Sequence, residues 1–152
     1  GRAKYFEMGD QGLVYHSGTH HGHPLSTIAG AACMEVMDKQ TYDRLNGYAK
    51  KIKTELTQWA NENKFPFSIY GIGSHLGYEF PDEPGRIYKS CREMLGSSNE
   101  EYMQTFAFEM ANRGIFPMYR GQITLSVPMT ETDINTFIET SKNIISRICS
   151  DE

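Results

Sequence analysis

The order of apolar patterns in this chain predicts an α+β fold, a small and mostly antiparallel sheet with helices packed on one face. Three observations carry that prediction. Apolar residues recur at helical spacings of three and four over residues 24–38, 41–63, 98–113 and from 130 onward. Between these stretches the pattern changes to alternation, at 65–80 and at 115–127. The resulting order is two helices, two strands, a helix, two strands and a helix, with no internal repeat and no low-complexity tract.

Residues 1–16 are mixed in pattern. Tyr5-Phe6-Glu7-Met8 reads as a short helix, Gly9 to Gly12 as a turn, and Leu13-Val14-Tyr15 as a short apolar lead. The first long helix is predicted from Pro24 to Asp38. Pro24 suits its first turn, because proline has no N–H and a fixed φ. Leu25, Ile28, Ala29, Ala32, Cys33, Val36 and Met37 form its apolar face, so Cys33 reads as a core residue. The second helix is predicted from Thr41, a good N-cap type, to about Asn63-Lys64. Its stripe is Leu45, Ala49, Ile52, Leu56, Trp59 and Ala60, with Lys50, Lys51, Lys53 and Glu55 facing water.

Phe65 to Tyr70 and Leu76 to Phe80 read as strands on either side of a turn at Gly71-Ile72-Gly73. Pro81 to Gly85 ends the second, and residues 86–97 show no regular pattern. Ser98-x-x-Glu101 has the form of a capping box and opens a helix with Tyr102, Met103, Phe106 and Met110 inward, closed by Gly114. Ile115-Phe116-Pro117-Met118 reads as a short strand, with Pro117 arguing for an edge. Ile123 to Val127 reads as a better strand. Thr130 caps a final helix whose stripe is Ile134, Phe137, Ile138, Ile145 and Ile148.

Composition excludes several classes. The 152 residues fit one domain, and a net charge of −4 gives no reason to expect nucleic acid or an anionic membrane as partner. No apolar run approaches the ~20 residues of a membrane span, and no signal peptide is visible at Gly1-Arg2-Ala3-Lys4. Cys33, Cys91 and Cys149 are too few and scattered for a disulfide framework or a zinc cluster, so a reducing cytoplasm is the expected location. No serine sits in the strand-turn-helix setting of a hydrolase nucleophile.

The chemistry-bearing stretch is Ser17-Gly18-Thr19-His20-His21-Gly22-His23-Pro24. A glycine-rich loop that feeds a helix N-terminus collects anions, because unpaired N–H groups and the helix dipole point at it. Thr19 adds a hydroxyl donor. Spacing alone leaves two readings open, an anion-binding turn and an ordinary loop before an ordinary helix. His16, His20, His21 and His23 fall within eight positions, but adjacent His20 and His21 point apart on an extended loop, and no carboxylate or cysteine completes a ligand set. No metal is expected. Lys50, Lys51 and Lys53 belong to a solvated helix face and Lys64 and Lys89 follow no pattern, so no catalytic lysine is read in the chain.

Gly18-Thr19-x-x-Gly22-x-Pro24 before a helix of small residues resembles the phosphate-binding turn of class III (fold-type I) pyridoxal-phosphate aminotransferases. The likeness continues through Tyr42-Asp43-Arg44-Leu45, Gly71-Ile72-Gly73-Ser74, Arg113-Gly114-Ile115 and Thr130-Glu131-Thr132-Asp133-Ile134, and looks greatest toward the glutamate-1-semialdehyde aminomutases of that class. It implies the C-terminal part of such an enzyme, cut from something longer. Residues 1–40 would then be a phosphate loop and interdomain helix at the large-domain boundary, and residues 41–152 the small α+β domain. The cofactor would be pyridoxal 5'-phosphate, the substrates a small-molecule amino donor and acceptor, and the assembly a homodimer. By the same resemblance Gly18 and Thr19 bind the cofactor phosphate across the dimer interface, and the cofactor-bearing lysine lies upstream of Gly1-Arg2. His23 stands where the aminomutases usually have asparagine, although other class III transaminases carry histidine there. The Pro117 to Gln122 segment looks shortened and lacks the aminomutase glutamate. Arg120 is either a contact for a substrate carboxylate or a surface arginine. The competing reading is a stand-alone binding domain of the same fold that has lost the chemistry.

Overall fold

The computed structural model describes residues 18–94, 96–118 and 120–150. The short helix, turn and apolar lead expected within residues 1–16 lie outside the described residues, as does His16. The chain divides into two units, residues 1–38 and 39–152.

In the first unit, α1 runs from Pro24 to Val36, and none of its residues is buried. Cys33 is therefore exposed, where the sequence pattern placed it in a core. The apolar face is present, but nothing described covers it.

In the second unit, α2 (Lys39–Asn63) and α5 (Glu131–Ser150) are long amphipathic helices. Three antiparallel strands follow the order β1-β2-β3, with β1 at Ser68–Ile72, β2 at His75–Glu79 and β3 at Gln122–Thr124. The expected α+β class, with a small antiparallel sheet, is what the chain forms. Strand register places Ile69, Leu76, Tyr78 and Ile123 on one face. All four are buried, and the core is completed by Leu45, Ile52 and Leu56 of α2 and by Ile134, Ile138 and Ile145 of α5. Helix α4 (Glu100–Asn112) contributes Phe106, whose ring lies 4.8 Å from Tyr78, 5.8 Å from Phe80 and 5.9 Å from Phe67. Such tilted and edge-on aromatic contacts add to the area they bury.

Several boundaries differ from expectation for identifiable reasons. Helix α2 begins at Lys39 rather than Thr41, with a Lys39–Asp43 ion pair across its first turn. Helix α4 is capped by Asn99, whose side chain accepts from Tyr102 N at 3.0 Å. The backbone at Ser98 instead bridges to Pro81, and its hydroxyl is buried without a hydrogen-bond partner. Residues 115–118 do not form a strand. Only Met118 bridges to Gln122, and Gly121 N closes a turn onto Met118 O, while Pro117 has no N–H to offer a ladder. Trp59, Tyr102, Met103 and Ile148 are half-buried at the margins of their stripes, and Ser141 and Ile144 join the α5 core. Ser141 satisfies its hydroxyl by donating to Phe137 O at 2.7 Å. The patternless stretch 86–97 contains a single helical turn, α3 (Cys91–Met94).

Candidate functional site

Gly18 and Thr19 open two successive turns, closed by His21 N donating to Gly18 O at 3.0 Å and His23 N to His20 O at 3.2 Å. Gly22 has φ 71°, a backbone conformation that L side chains rarely adopt, and this fixes the need for glycine there. The chain then enters α1 through His23 (φ −58°, ψ 125°) with Pro24 in the first turn.

The N-terminus of α1 carries no side-chain cap. Thr27 turns its hydroxyl back onto His23 O at 3.1 Å, the carbonyl that already accepts Thr27 N at 2.9 Å. The N–H groups of Leu25 and Ser26 therefore lie in the part of a helix where no intrahelical acceptor exists. No acidic residue occurs between Gly18 and Met34, so the positive end of the helix dipole is not neutralised by its own sequence. Every residue from Gly18 to Val36 is exposed. This arrangement of open donors, a positive dipole end and the Thr19 hydroxyl fits an anion.

The histidines do not converge on one point. His20 stands edge-on to His23, with ring centroids 6.1 Å apart, whereas the His21 ring lies over Gly18. Among the described residues, no group of three His, Cys, Asp or Glu side chains could hold a metal ion. Arg120 sits exposed in the turn before Gly121.

Two lysines and one arginine act structurally in ways the sequence did not reveal. Lys51 donates to Glu131 at 2.9 Å and Asn135 at 2.7 Å, joining α2 to α5. Lys53 donates to Gly71 O at 2.8 Å near the end of β1. Arg44 donates to Val127 O at 2.8 Å and Met129 O at 3.0 Å, clamping the segment after β3 to α2. The signal for Arg44 was its place in Tyr42-Asp43-Arg44-Leu45, but a fork onto two carbonyls 83 and 85 positions away is not visible in a linear pattern.

The second unit also holds a cavity of about 530 Å³ lined by Ile115, Phe116, Leu125, Phe137, Arg113 and Asp133. Both of its charges are already engaged, Arg113 by Glu109 and Asp133 by Thr130. It offers apolar wall and no unengaged charge.

The fold is one found within transaminase chains. The chain superposes on a β-phenylalanine aminotransferase from Variovorax paradoxus with a TM-score of 0.73 at 23% identity, covering 90% of this chain and 31% of that one. On a glutamate-1-semialdehyde aminomutase from Pseudomonas aeruginosa, solved in complex with PMP, the TM-score is 0.74 at 16% identity, covering 92% and 31%. In sequence, the chain is similar to a glutamate-1-semialdehyde 2,1-aminomutase of Geobacillus kaustophilus, at 30% identity over 151 residues. A second, from Listeria welshimeri, is 28% identical over 135 residues. The chain thus spans about a third of these relatives' length, 34% and 30% respectively. The resemblance to class III aminotransferases and aminomutases therefore holds across nearly the whole chain. No protein-family model matches it. No helix is long and apolar enough to cross a membrane among the described residues.

Proposed function

We propose that this chain is the C-terminal part of a pyridoxal-phosphate-dependent aminotransferase or 2,1-aminomutase, and that its own contribution is to hold the phosphate of the cofactor. The observation that carries this reading is the uncapped N-terminus of α1 behind the Gly18–His23 turns. The backbone N–H groups of Leu25 and Ser26 and the Thr19 hydroxyl would donate to the phosphate, and the helix dipole favours its charge. Gly18 leaves room for the His21 ring, which a Cβ at that position would meet at 2.8 Å. When bound, the cofactor supplies an electron sink for amino-group chemistry, and the longer polypeptide supplies the lysine that carries it.

The rest of the proposal concerns setting. Phosphate capture occurs across a subunit boundary, so the enzyme works as a homodimer in the cytoplasm. Leu25, Ile28, Met34 and Val36 leave α1 with an exposed apolar face of the kind that a subunit contact covers. Residues 1–40 then belong with the large domain and 41–152 form the small one. The substrates are a small-molecule amino donor and acceptor, or a single amino-aldehyde rearranged in place.

The mass and cofactor content of the native polypeptide test this reading. The expected result is a chain about three times the present length, as the 34% coverage implies, carrying one pyridoxal phosphate per subunit. A native chain of the present length that binds no pyridoxal phosphate would support the non-catalytic domain instead.

A further inference from the structure

Strand register puts Ser68, Tyr70 and Ile72 of β1 opposite Glu79, Gly77 and His75 of β2, on the face turned away from the helical core. Alternation predicts that these side chains are solvated. Glu79 is not, being 4% exposed. Its Oε1 accepts from the Tyr70 hydroxyl at 3.1 Å, and its Oε2 is buried without a partner. Tyr70 reaches it by lying across Gly77, where a Cβ would come within 2.7 Å of the ring.

The segment after β2 covers this part of the sheet. Its ends are tied together by Asp82 N donating to Ser97 O at 3.1 Å and by Asn99 N donating to Phe80 O at 2.8 Å. Tyr88 donates to Ser97 O at 2.8 Å. Between those ends the attachment to the sheet is slight. Tyr70 reaches Met94 Sδ at 3.7 Å, and a cavity of about 440 Å³ remains between Ile87, Tyr88, Ser90 and Met94 above and Ser68 and Tyr70 below. Ile87 is 81% exposed, so little apolar burial holds the segment down.

Tyr70 of β1 bonds Glu79, and the covering segment carries the titratable and charged groups Asp82, Glu83, Arg86, Tyr88 and Lys89, with Arg92 and Glu93 in α3. His75 lies further along the same face, bonded to Thr124. The Arg86 guanidinium is taken by Asp82, and the Lys89 backbone N–H, not its ammonium, donates to Glu93. None of these basic groups pairs with Glu79. Burial raises the Glu79 carboxyl above its ordinary range, and the Tyr70 hydrogen bond opposes that rise. A buried carboxyl with one hydrogen bond and no cation is tolerated uncharged and disfavoured once ionised.

We propose that residues 82–94 form a strap held on the sheet while the Glu79 carboxyl is protonated, and released when that carboxyl ionises. Release hydrates Glu79 and opens the cavity beneath Tyr88 and Met94. The coupling follows from linkage. Between the ordinary carboxyl range of the open form and the raised range of the docked form, each pH unit changes the opening equilibrium by up to about tenfold.

Hydrogen exchange of peptides from 82–94 tests this between pH 4 and pH 8, with each rate divided by that of the same peptide in the unfolded chain. In the wild-type chain the corrected rate should climb by up to about tenfold per pH unit before levelling, while peptides from α2 stay flat. Glu79→Gln should remove the climb. Tyr70→Phe, which loses the bond that favours the ionised form, should move the levelling point to higher pH and keeps the test valid if Glu79→Gln does not fold. A flat wild-type profile, a wild-type slope in Glu79→Gln, a levelling point moved down by Tyr70→Phe, or α2 opening in parallel with the strap would each overturn the proposal.

Discussion

Helices α1 and α5 are both rich in apolar residues, yet α5 buries six of its residues and α1 buries none. The difference begins at their N-termini. Thr130 and Asp133 close the start of α5 on each other, with Thr130 N and Oγ1 both donating to Asp133 Oδ2, at 2.7 and 2.8 Å. The start of α1 is closed by no side chain, and its small residues Ala29, Gly30, Ala31 and Ala32 have little apolar volume to commit to a core. Helix α5 is specified within its own unit. Helix α1 instead leaves an uncapped N-terminus and an apolar face exposed, as the proposed phosphate contact requires.

The comparison breaks most visibly through the core. Phe106 is fully buried among Phe67, Tyr78 and Phe80. Phe106→Ala should destabilise the chain by about 3–5 kcal/mol in denaturant unfolding. Leu25→Ala on α1, where the side chain is 73% exposed, should stay within about 0.5 kcal/mol. Similar losses from the two substitutions would mean that α1 is part of the same cooperative core.

A smaller effect comes from the α5 cap. Thr130→Ala should cost about 0.5–2 kcal/mol. The cap also sets a pH dependence. Hydrogen bonds from Thr130 N and its hydroxyl hold the Asp133 carboxyl below the ordinary range. Its stabilising contribution is therefore complete above the unfolded-state value and is lost as pH falls through the depressed folded-state value. Thermal melts at pH values below the ordinary aspartate range should show a shallower loss for Thr130→Ala than for the wild type, because one of the two donors has gone.

The parts of the fold that were legible in sequence are those whose pattern and packing agree. The stripe of Ile134, Phe137, Ile138 and Ile145 stands clear in α5, and the cap at Thr130 follows a local rule. Gly114, expected to end α4, does so with φ 78° and with Ile115 N donating back to Met110 O. Illegible parts depend on remote partners. Ser98 and Asn99 both suit a cap, and in the fold the Asn99 side chain makes it while the Ser98 backbone bridges to Pro81. Cys33 shares the apolar spacing of a core residue, but spacing does not say what covers a face. Glu79 sits at an outward position of a strand and is buried by a segment that has no periodicity. At the candidate site, the glycine spacing and Pro24 made the turn readable. The missing side-chain cap was not, because spacing does not say whether the His23 ring at the N-cap turns toward the first turn.

The most direct test of the division between a binding element and a stabilising element is cofactor titration of the native polypeptide carrying wild-type, Ala or Ser at position 19, with thermal melts alongside. A hydrogen bond to a charged group is worth roughly 1.5–3 kcal/mol, so Thr19→Ala should weaken pyridoxal-phosphate affinity by roughly tenfold to a hundredfold. Thr19→Ser should retain most of the affinity, since it keeps the hydroxyl, and neither substitution at this exposed position should move the melting temperature of the cofactor-free protein. Equal affinity in all three proteins would contradict the assignment of Thr19 and the α1 N-terminus to the cofactor phosphate.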